Sequence, residues 1–297
     1  MKKLFSKQVL ICILCFVLGV VISLISVIFV VKKEYKGNYL IDNYDKIIKA
    51  ERLIKDKKSR EIYRAYINFL SYRIEIPQKF KSEYEESFFP KTLPKSADVV
   101  IDAGIGTLNG KAMAPFLEYA DIVGSEGFVY GFEPVPQYAK EIEQNIKEDG
   151  YKNAKVYPYG VWSENTTKDL YFGELSSSFV LPCYDDPQTV KVKLISLDSF
   201  VEQNNIKKVD LIKMDVEGAE TEALKGAENI IRQHKPKLVI AVYHKPEDFF
   251  NIISYINSLN PNYSYYLENH GPYETSADWL NRRNIMLYAV DETKDNL

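Results

Sequence analysis

Cysteine is nearly absent. The 297 residues hold only Cys12, Cys15 and Cys183, which excludes a fold stapled by several disulfides. Cys12 and Cys15 form a C-x-x-C pair, but no histidine or further cysteine accompanies it, so neither a redox nor a zinc motif is indicated. Both lie in an apolar run, where a thiol reads as a small buried hydrophobe. Histidine is equally sparse: His234, His244 and His270 are the only ones, so any imidazole chemistry falls to one of these three. Internal repeats and low-complexity tracts are missing. The chain is 46% hydrophobic and 13% aromatic, enough for a packed core without cross-links.

The net charge of −3 conceals an asymmetry. Residues 1–95 carry 19 Lys/Arg against 10 Asp/Glu, and residues 96–297 carry 19 against 31. An acidic main domain argues against a nucleic-acid partner, which needs a basic footprint. The basic N-terminal third suits an anionic membrane surface.

Residues 9–31 are 23 positions without a charge. As a helix they span about 34 Å, against about 30 Å of bilayer hydrocarbon. A secretory signal has a shorter apolar region and a small-residue cleavage site, so an uncleaved transmembrane helix is expected. The chain then divides into a tail at 1–8, the transmembrane helix at 9–31, a basic helical neck and linker at 32–93, and a main domain at 94–297. This implies a single-pass protein of the inner or plasma membrane, contacting the bilayer through residues 9–31. More lysines follow the run within twenty residues (Lys32, Lys33, Lys36, Lys46, Lys49) than precede it (Lys2, Lys3, Lys7), which favours a cytoplasmic main domain; the short basic tail favours the opposite orientation. In the neck, Ile62, Tyr63, Tyr66, Ile67 and Leu70 share one helical face. That face either packs on the main domain or holds it off the membrane.

From residue 98 strands and helices alternate, the pattern of a doubly wound α/β sheet. Helices are expected at 111–122, 135–148, 219–234 and 247–259. Strands are expected at 155–157, 191–195 and 238–243, with a late hairpin-like pair at 264–267 and 285–290. Residues 174–184, with three consecutive serines, read as a surface loop.

Three further apolar runs end in carboxylates: VVIDAGIG at 99–106, FVYGFEP at 128–134 and VDLIKMDVEG at 209–218. Ligands of open α/β sheets bind beyond the carboxyl ends of the strands. Asp102, Glu133, Asp215 and Glu217 should therefore converge on one ligand beside Gly104 and Gly106. Glu133 offers two acceptor oxygens to the hydroxyls of a ribose. Asp102 suits a cationic group such as an amino acid ammonium. A dinucleotide wants G-x-G-x-x-G, whereas the third slot here is Asn109, with Gly110 one residue late. This favours S-adenosylmethionine over NAD. An NAD- or nucleotide-sugar-dependent enzyme remains the alternative, as does a non-catalytic scaffold of the same fold.

The array VIDAGIG, VYGFEPVPQ, VKLISLDSF, VDLIKMDVEGAE and KLVIAVYHKPED, spread over 94–290, resembles the FkbM family of S-adenosylmethionine-dependent methyltransferases. The resemblance implies a class I methyltransferase fold, Rossmann-like, with a seven-stranded, mostly parallel sheet and one antiparallel strand. It implies O-methylation, often of sugars or other small-molecule hydroxyls; the apolar run and basic neck add a glycan or lipid-linked sugar as the expected acceptor. It places Asp102, Gly104 and Gly106 at the methionine end of the cofactor, with Asp215 nearby. Glu133 falls on the ribose and Val161 on the adenine side. The stretch 106–110 departs from the family pattern, which leaves open whether Gly106 or Gly110 lines the cofactor.

A hydroxyl acceptor must lose a proton during attack, which calls for a base. His244 directly follows the apolar run 238–243, at the ligand end of the strand; Asp215 and Glu217 accompany it as catalytic candidates. His234 reads as a helix C-cap, and His270 as a loop residue able to roof the site. Asp215, Glu217 and His244 could alternatively hold a divalent metal. Their spacing forms no recognisable metal motif, so no metal is expected.

Overall fold

The computed structural model describes residues 39–72, 74, 76–172, 177–178, 188–271 and 284–294. Helices α1 (Tyr39–Asp42), α2 (Tyr44–Leu53) and α3 (Lys57–Tyr72) come first. Then follow β1 (Val99–Ala103), the short strands β2 (Thr107–Leu108) and β3 (Lys111–Ala112), α4 (Phe116–Val123), β4 (Phe128–Phe132), α5 (Pro136–Glu148) and β5 (Ala154–Tyr157). Next are β6 (Gly160–Val161), β7 (Thr166–Phe172), β8 (Ser177–Ser178), β9 (Gln188–Ile195), α6 (Leu197–Gln203) and β10 (Leu211–Met214). The chain closes with α7 (Glu220–Lys225), α8 (Glu228–His234), β11 (Lys237–Ala241), α9 (Asp248–Leu259), β12 (Tyr263–Asn269) and β13 (Ile285–Asp291).

Seven strands form one sheet in the order β12-β13-β11-β10-β1-β4-β5. β1 pairs parallel with β4 and β10, β4 with β5, and β10 with β11. β13 runs antiparallel to both of its neighbours, so six strands point one way and one the other. The apolar runs follow from this: strands covered on both faces bury consecutive residues. Ile101, Ile212 and Ile240 face one layer, while Val100, Leu211 and Val239 face the other. The winding direction reverses between β1 and β10, which opens a crevice at their carboxyl ends. A second sheet, β6-β9-β7-β8, holds the strand expected at 191–195 within β9, while β6, β7 and β8 were not expected. Within the loop expected at 174–184, Ser177–Ser178 form β8, and the remaining residues lie outside the described ones.

The neck is part of the main core. Ile47, Ala50, Ile62, Tyr63 and Tyr66 share one apolar cluster with Phe249, Phe250 and Tyr265. Tyr63 stacks on Phe249 with ring centroids 4.9 Å apart. These helices also cover the sheet edge, a backbone row that would otherwise stay open to pairing: Ser59 Oγ accepts the Leu267 N–H at 2.8 Å, and Lys58 Nζ meets Glu268 Oε2 at 2.8 Å.

Two expected helices differ. Residues 111–112 form a strand, and α4 starts only at Phe116. Pro115 explains the delay, because proline cannot donate and disfavours helix at the residue before it. The helix expected at 219–234 is split into α7 and α8 around Gly226. A Cβ at Gly226 would lie 2.0 Å from the Trp162 carbonyl oxygen, so close packing against a distant loop sets the break.

No helix among the described residues is long and apolar enough to cross a membrane. The expected single-pass membrane localisation is corrected on this finding. The 9–31 run on which it rested lies outside the described residues.

Candidate active site

The crevice at the tips of β1, β4 and β10 is lined by the turn Gly104-Ile105-Gly106, by Glu133, by Tyr159 to Val161, by Lys213 and by Asp215 to Glu217. Gly104, Gly106, Glu133, Val161, Asp215 and Glu217, all expected from sequence, thus meet in one cleft. Asp102 and His244 are not among its lining residues.

Glycine is demanded at the first turn position. Gly104 has φ +84, and a Cβ there would lie 1.9 Å from the Asp215 carbonyl oxygen. The β1 turn and the end of β10 therefore touch backbone to backbone. Gly106 donates its N–H to Glu133 Oε2 at 3.0 Å. Gly110 belongs to something else. Asn109 and Gly110 have φ +52 and +73, the signature of a two-residue hairpin turn with both central residues left-handed. They join β2 to β3, and Asn145 of α5 clasps the result: its Oδ1 accepts the Ala112 N–H at 2.8 Å and its Nδ2 donates to the Gly110 carbonyl at 3.2 Å. Gly106, not Gly110, lines the cleft.

Glu133 is buried, and its Oε1 accepts the Val135 N–H at 2.9 Å. Burial pushes its pKa up to about 7, against the opposing pull of the Val135 and Gly106 amides and of Lys213.

Asp102 corrects the expectation of a cofactor contact. It is fully buried and pairs with Lys213 Nζ at 3.2 Å. The two residues are in register on adjacent parallel strands, so neighbouring side chains of opposite charge meet inside the sheet. Lys213 also donates to the Gly104 carbonyl at 2.6 Å and lines the cleft that Asp102 does not. Burial alone would lower the Lys213 pKa, but Asp102 and Asp215 outweigh it and hold the ammonium charged. Sequence reading missed Lys213, although a lysine inside an apolar strand is itself a signal, since lysine is almost never buried without a partner.

His244 stands behind Asp215 and Glu217. Its Nδ1 lies 2.8 Å from Glu220 Oε1, and its Nε2 lies 3.5 Å from Asp215 Oδ1 and 3.3 Å from Glu217 Oε2. Glu220, also missed, is fully buried and accepts the Val216 and Gly218 amides at 3.0 and 3.3 Å. Glu217 and Gly218 both have positive φ, which wraps this turn around the Glu220 carboxylate. Burial alone would depress the His244 pKa; Glu220, Glu217 and Asp215 outweigh it and hold the ring well above its ordinary value. A ring that keeps its proton at neutral pH is a poor base. Asp215 faces the cleft and is pushed up to about 6 by burial, against the pull of His244 and Lys213. His270 is buried away from the cleft, between the Tyr84 carbonyl at 3.0 Å and the Tyr288 hydroxyl at 2.8 Å.

The profile of the methyltransferase FkbM domain matches residues 101–266, more than half of the chain. The chain belongs to the FkbM methyltransferase family. The matched span runs from β1 into β12 and contains every cleft-lining residue except Glu86 and Ser87. No curated protein matches the sequence. The fold of this FkbM-family chain is similar to the crystal structure of methyltransferase FkbM from Methylobacillus flagellatus KT, with 20% identity and a TM-score of 0.64. That match covers 85% of this chain and 60% of the other, so this chain spans less than two thirds of its relative. Lower similarity links it to Aeropyrum pernix fibrillarin in complex with S-adenosyl-L-methionine, with 15% identity, a TM-score of 0.38 and coverage of 69% and 71%. A SAM-dependent O-methyltransferase from Thermotoga maritima gives 15% identity, a TM-score of 0.40 and coverage of 76% and 70%. The seven-stranded mixed sheet is that of a class I methyltransferase-like α/β fold.

Proposed function

We propose that this FkbM methyltransferase transfers a methyl group from S-adenosylmethionine to a hydroxyl of a small molecule or glycan. One observation carries the reading: the Glu133 carboxylate lines the cleft at the tip of β4 and is tied to the Gly106 amide of the neighbouring turn. Each Glu133 oxygen accepts one backbone N–H, which leaves a further lone pair on each for a vicinal diol. Gly104 and Gly106 present backbone rather than side chain to the same space, and Lys213 supplies a cation for a carboxylate tail. Tyr159 and Val161 close the side where a flat base would lie. These groups fit the nucleoside and amino acid parts of the donor.

The dinucleotide alternative fits less well. A pyrophosphate needs a helix N-terminus directly after the glycine turn, and here a hairpin intervenes before α4 begins at Phe116.

S-adenosylmethionine supplies a methyl group on a sulfonium, with a neutral leaving group. The protein then has two tasks, to place the acceptor oxygen in line and to take its proton. Asp215 is the better candidate base: it faces the cleft, and its raised pKa makes it more basic than an ordinary aspartate. His244, held from behind by Glu220, acts as a positioning residue for Asp215 and Glu217.

Calorimetric titration of the full chain with S-adenosylhomocysteine tests the reading. Binding is expected, weakened about tenfold or more in Glu133→Ala, the scale of one lost charge-assisted hydrogen bond. Retention of NAD without any S-adenosylhomocysteine binding would overturn it.

A further inference from the structure

Asp102 is the acid that the sequence assigns to the ammonium of the donor, and the fold withdraws it. It is fully buried and paired with Lys213 Nζ at 3.2 Å. An α-amino acid is a zwitterion, so a cleft that offers Lys213 to the carboxylate still needs an acceptor for the ammonium. Four acids line the cleft: Glu86, Glu133, Asp215 and Glu217. Glu133 holds the Gly106 and Val135 amides at the tip of β4. Asp215 and Glu217 stand 3.5 and 3.3 Å from His244 Nε2 and, with Glu220, hold that ring protonated against its burial. Glu86 is the acid that the methyl-transfer reading leaves without a task.

Glu86 is built into its position. It lies in the segment before β1, upstream of the 101–266 span, and side chains of the main domain meet the carbonyls around it. Tyr119 donates its hydroxyl to the Ser87 carbonyl at 2.8 Å and Tyr288 to the Glu86 carbonyl at 2.6 Å, while His270 Nδ1 lies 3.0 Å from the Tyr84 oxygen. The Phe89 ring packs against Tyr288 with centroids 4.5 Å apart. On the Glu86 side chain, Oε1 accepts Asn284 Nδ2 at 2.5 Å, one bond on a carboxylate that offers about four acceptor sites. Its charge is felt at the methionine end of the cleft. The Lys213 ammonium, opposed by burial, is held charged by Asp102 and Asp215 and also by Glu86. The Tyr243 hydroxyl, 3.4 Å from Asp215 Oδ2, is kept protonated by burial, by Asp215 and by Glu86. An acid and a buried lysine thus face one space at the Lys213 and Asp215 end of the cleft.

We infer that Glu86 is the ammonium-binding residue of the donor site, acting with Lys213 so that the cleft takes the α-amino acid end of its nucleoside as a zwitterion. The inference rests on the methyl-transfer reading and adds to it a residue from outside the span shared with the family. Hydrogen bonds between ionised partners are shorter and stronger than neutral ones, and two of opposite sense define an orientation as well as an affinity. A nucleoside that lacks either charge leaves Glu86 or Lys213 facing the cleft without its counterpart, and selectivity for the intact amino acid tail follows from that asymmetry.

Calorimetry on the full chain compares three nucleosides: S-adenosylhomocysteine, its decarboxylated analogue S-adenosyl-3-thiopropylamine, and 5′-methylthioadenosine, which lacks both charges. Glu86→Gln should weaken the first two by about tenfold or more, the scale of a charge-assisted hydrogen bond, and leave the third unchanged. Lys213→Met should weaken S-adenosylhomocysteine and spare the two analogues. Glu86 is half-buried and glutamine keeps its shape, so this variant remains informative if Lys213→Met fails to fold. Equal affinity of Glu86→Gln and wild type for S-adenosylhomocysteine overturns the inference. So does an equal loss for methylthioadenosine, which marks a general disturbance of the cleft. Failure of all three nucleosides to bind the wild-type chain overturns the methyl-transfer reading, and this inference with it. Nucleoside binding that Glu133→Ala weakens and Glu86→Gln leaves untouched sinks the ammonium site alone.

Discussion

Glu133 Oε2 accepts the Gly106 N–H at 3.0 Å, so the acid at the tip of β4 also fixes the turn after β1. This acid is costly to bury in its charged form. Its pKa rises from 4.5 to about 7 in the fold, so the folded protein binds the proton more tightly than the unfolded chain does. The resulting stabilisation is fully present below about pH 4.5 and is lost as the pH rises through about 7. Relative to Glu133→Gln, which does not titrate, the wild type should lose up to ~3 kcal/mol across that window. Urea melts of both proteins across the window measure the difference; a gap independent of pH would contradict the assignment.

Gly104 and Gly110 both have positive φ, yet they should respond differently to alanine. At Gly104 the added carbon meets the Asp215 carbonyl at 1.9 Å, whereas at Gly110 nothing lies within 4 Å. Gly110→Ala bears only the backbone strain, about 1–2 kcal/mol. Gly104→Ala adds a backbone collision and should cost more than about 4 kcal/mol, the range reserved for severe lesions. Thermal denaturation of the two variants ranks them.

Asn145→Ala removes both clasps on the β2–β3 hairpin. A loss of about 1–3 kcal/mol is expected, with amide exchange accelerated over residues 107–112 and unchanged in β1. Uniform acceleration across the sheet would show that the clasp does not act locally.

Tyr63→Ala tests whether the amino-terminal helices belong to the core. Tyr63 is fully buried against Phe249, so truncation should cost about 3–5 kcal/mol. The loss should appear in a single unfolding transition shared by the sheet. A separate early transition confined to the helices would refute their membership.

The elements read correctly from sequence are those whose signal is local. The runs ending at Asp102, Glu133 and Asp215 are buried strands because both sheet faces are covered, and period and composition carry that information. Pro136 opens α5 because proline suits a first helical turn. What escaped is set by neighbours far along the chain. Asp102 is taken from the cleft by Lys213, 111 positions away, through a strand register that no local pattern reveals. The break at Gly226 answers to the Trp162 carbonyl. The His244–Glu220 contact joins the turn after β11 to α7. One miss was avoidable: Asn-Gly at 109–110 is among the strongest short hairpin signals, and it resolves which glycine faces the cleft.

Ser59 and Leu267 bond across 208 positions of sequence, and this has a consequence during synthesis. The amino-terminal helices leave the ribosome before the surface they cover exists. Ile62, Tyr63 and Tyr66 must wait, apolar and unpartnered, until α9 and β12 have been translated. Such long-range closure is slow and leaves sticky surface open to other chains meanwhile. The clasp over the sheet edge therefore cannot close before β12 has been translated, and until then those apolar side chains are exposed to other chains.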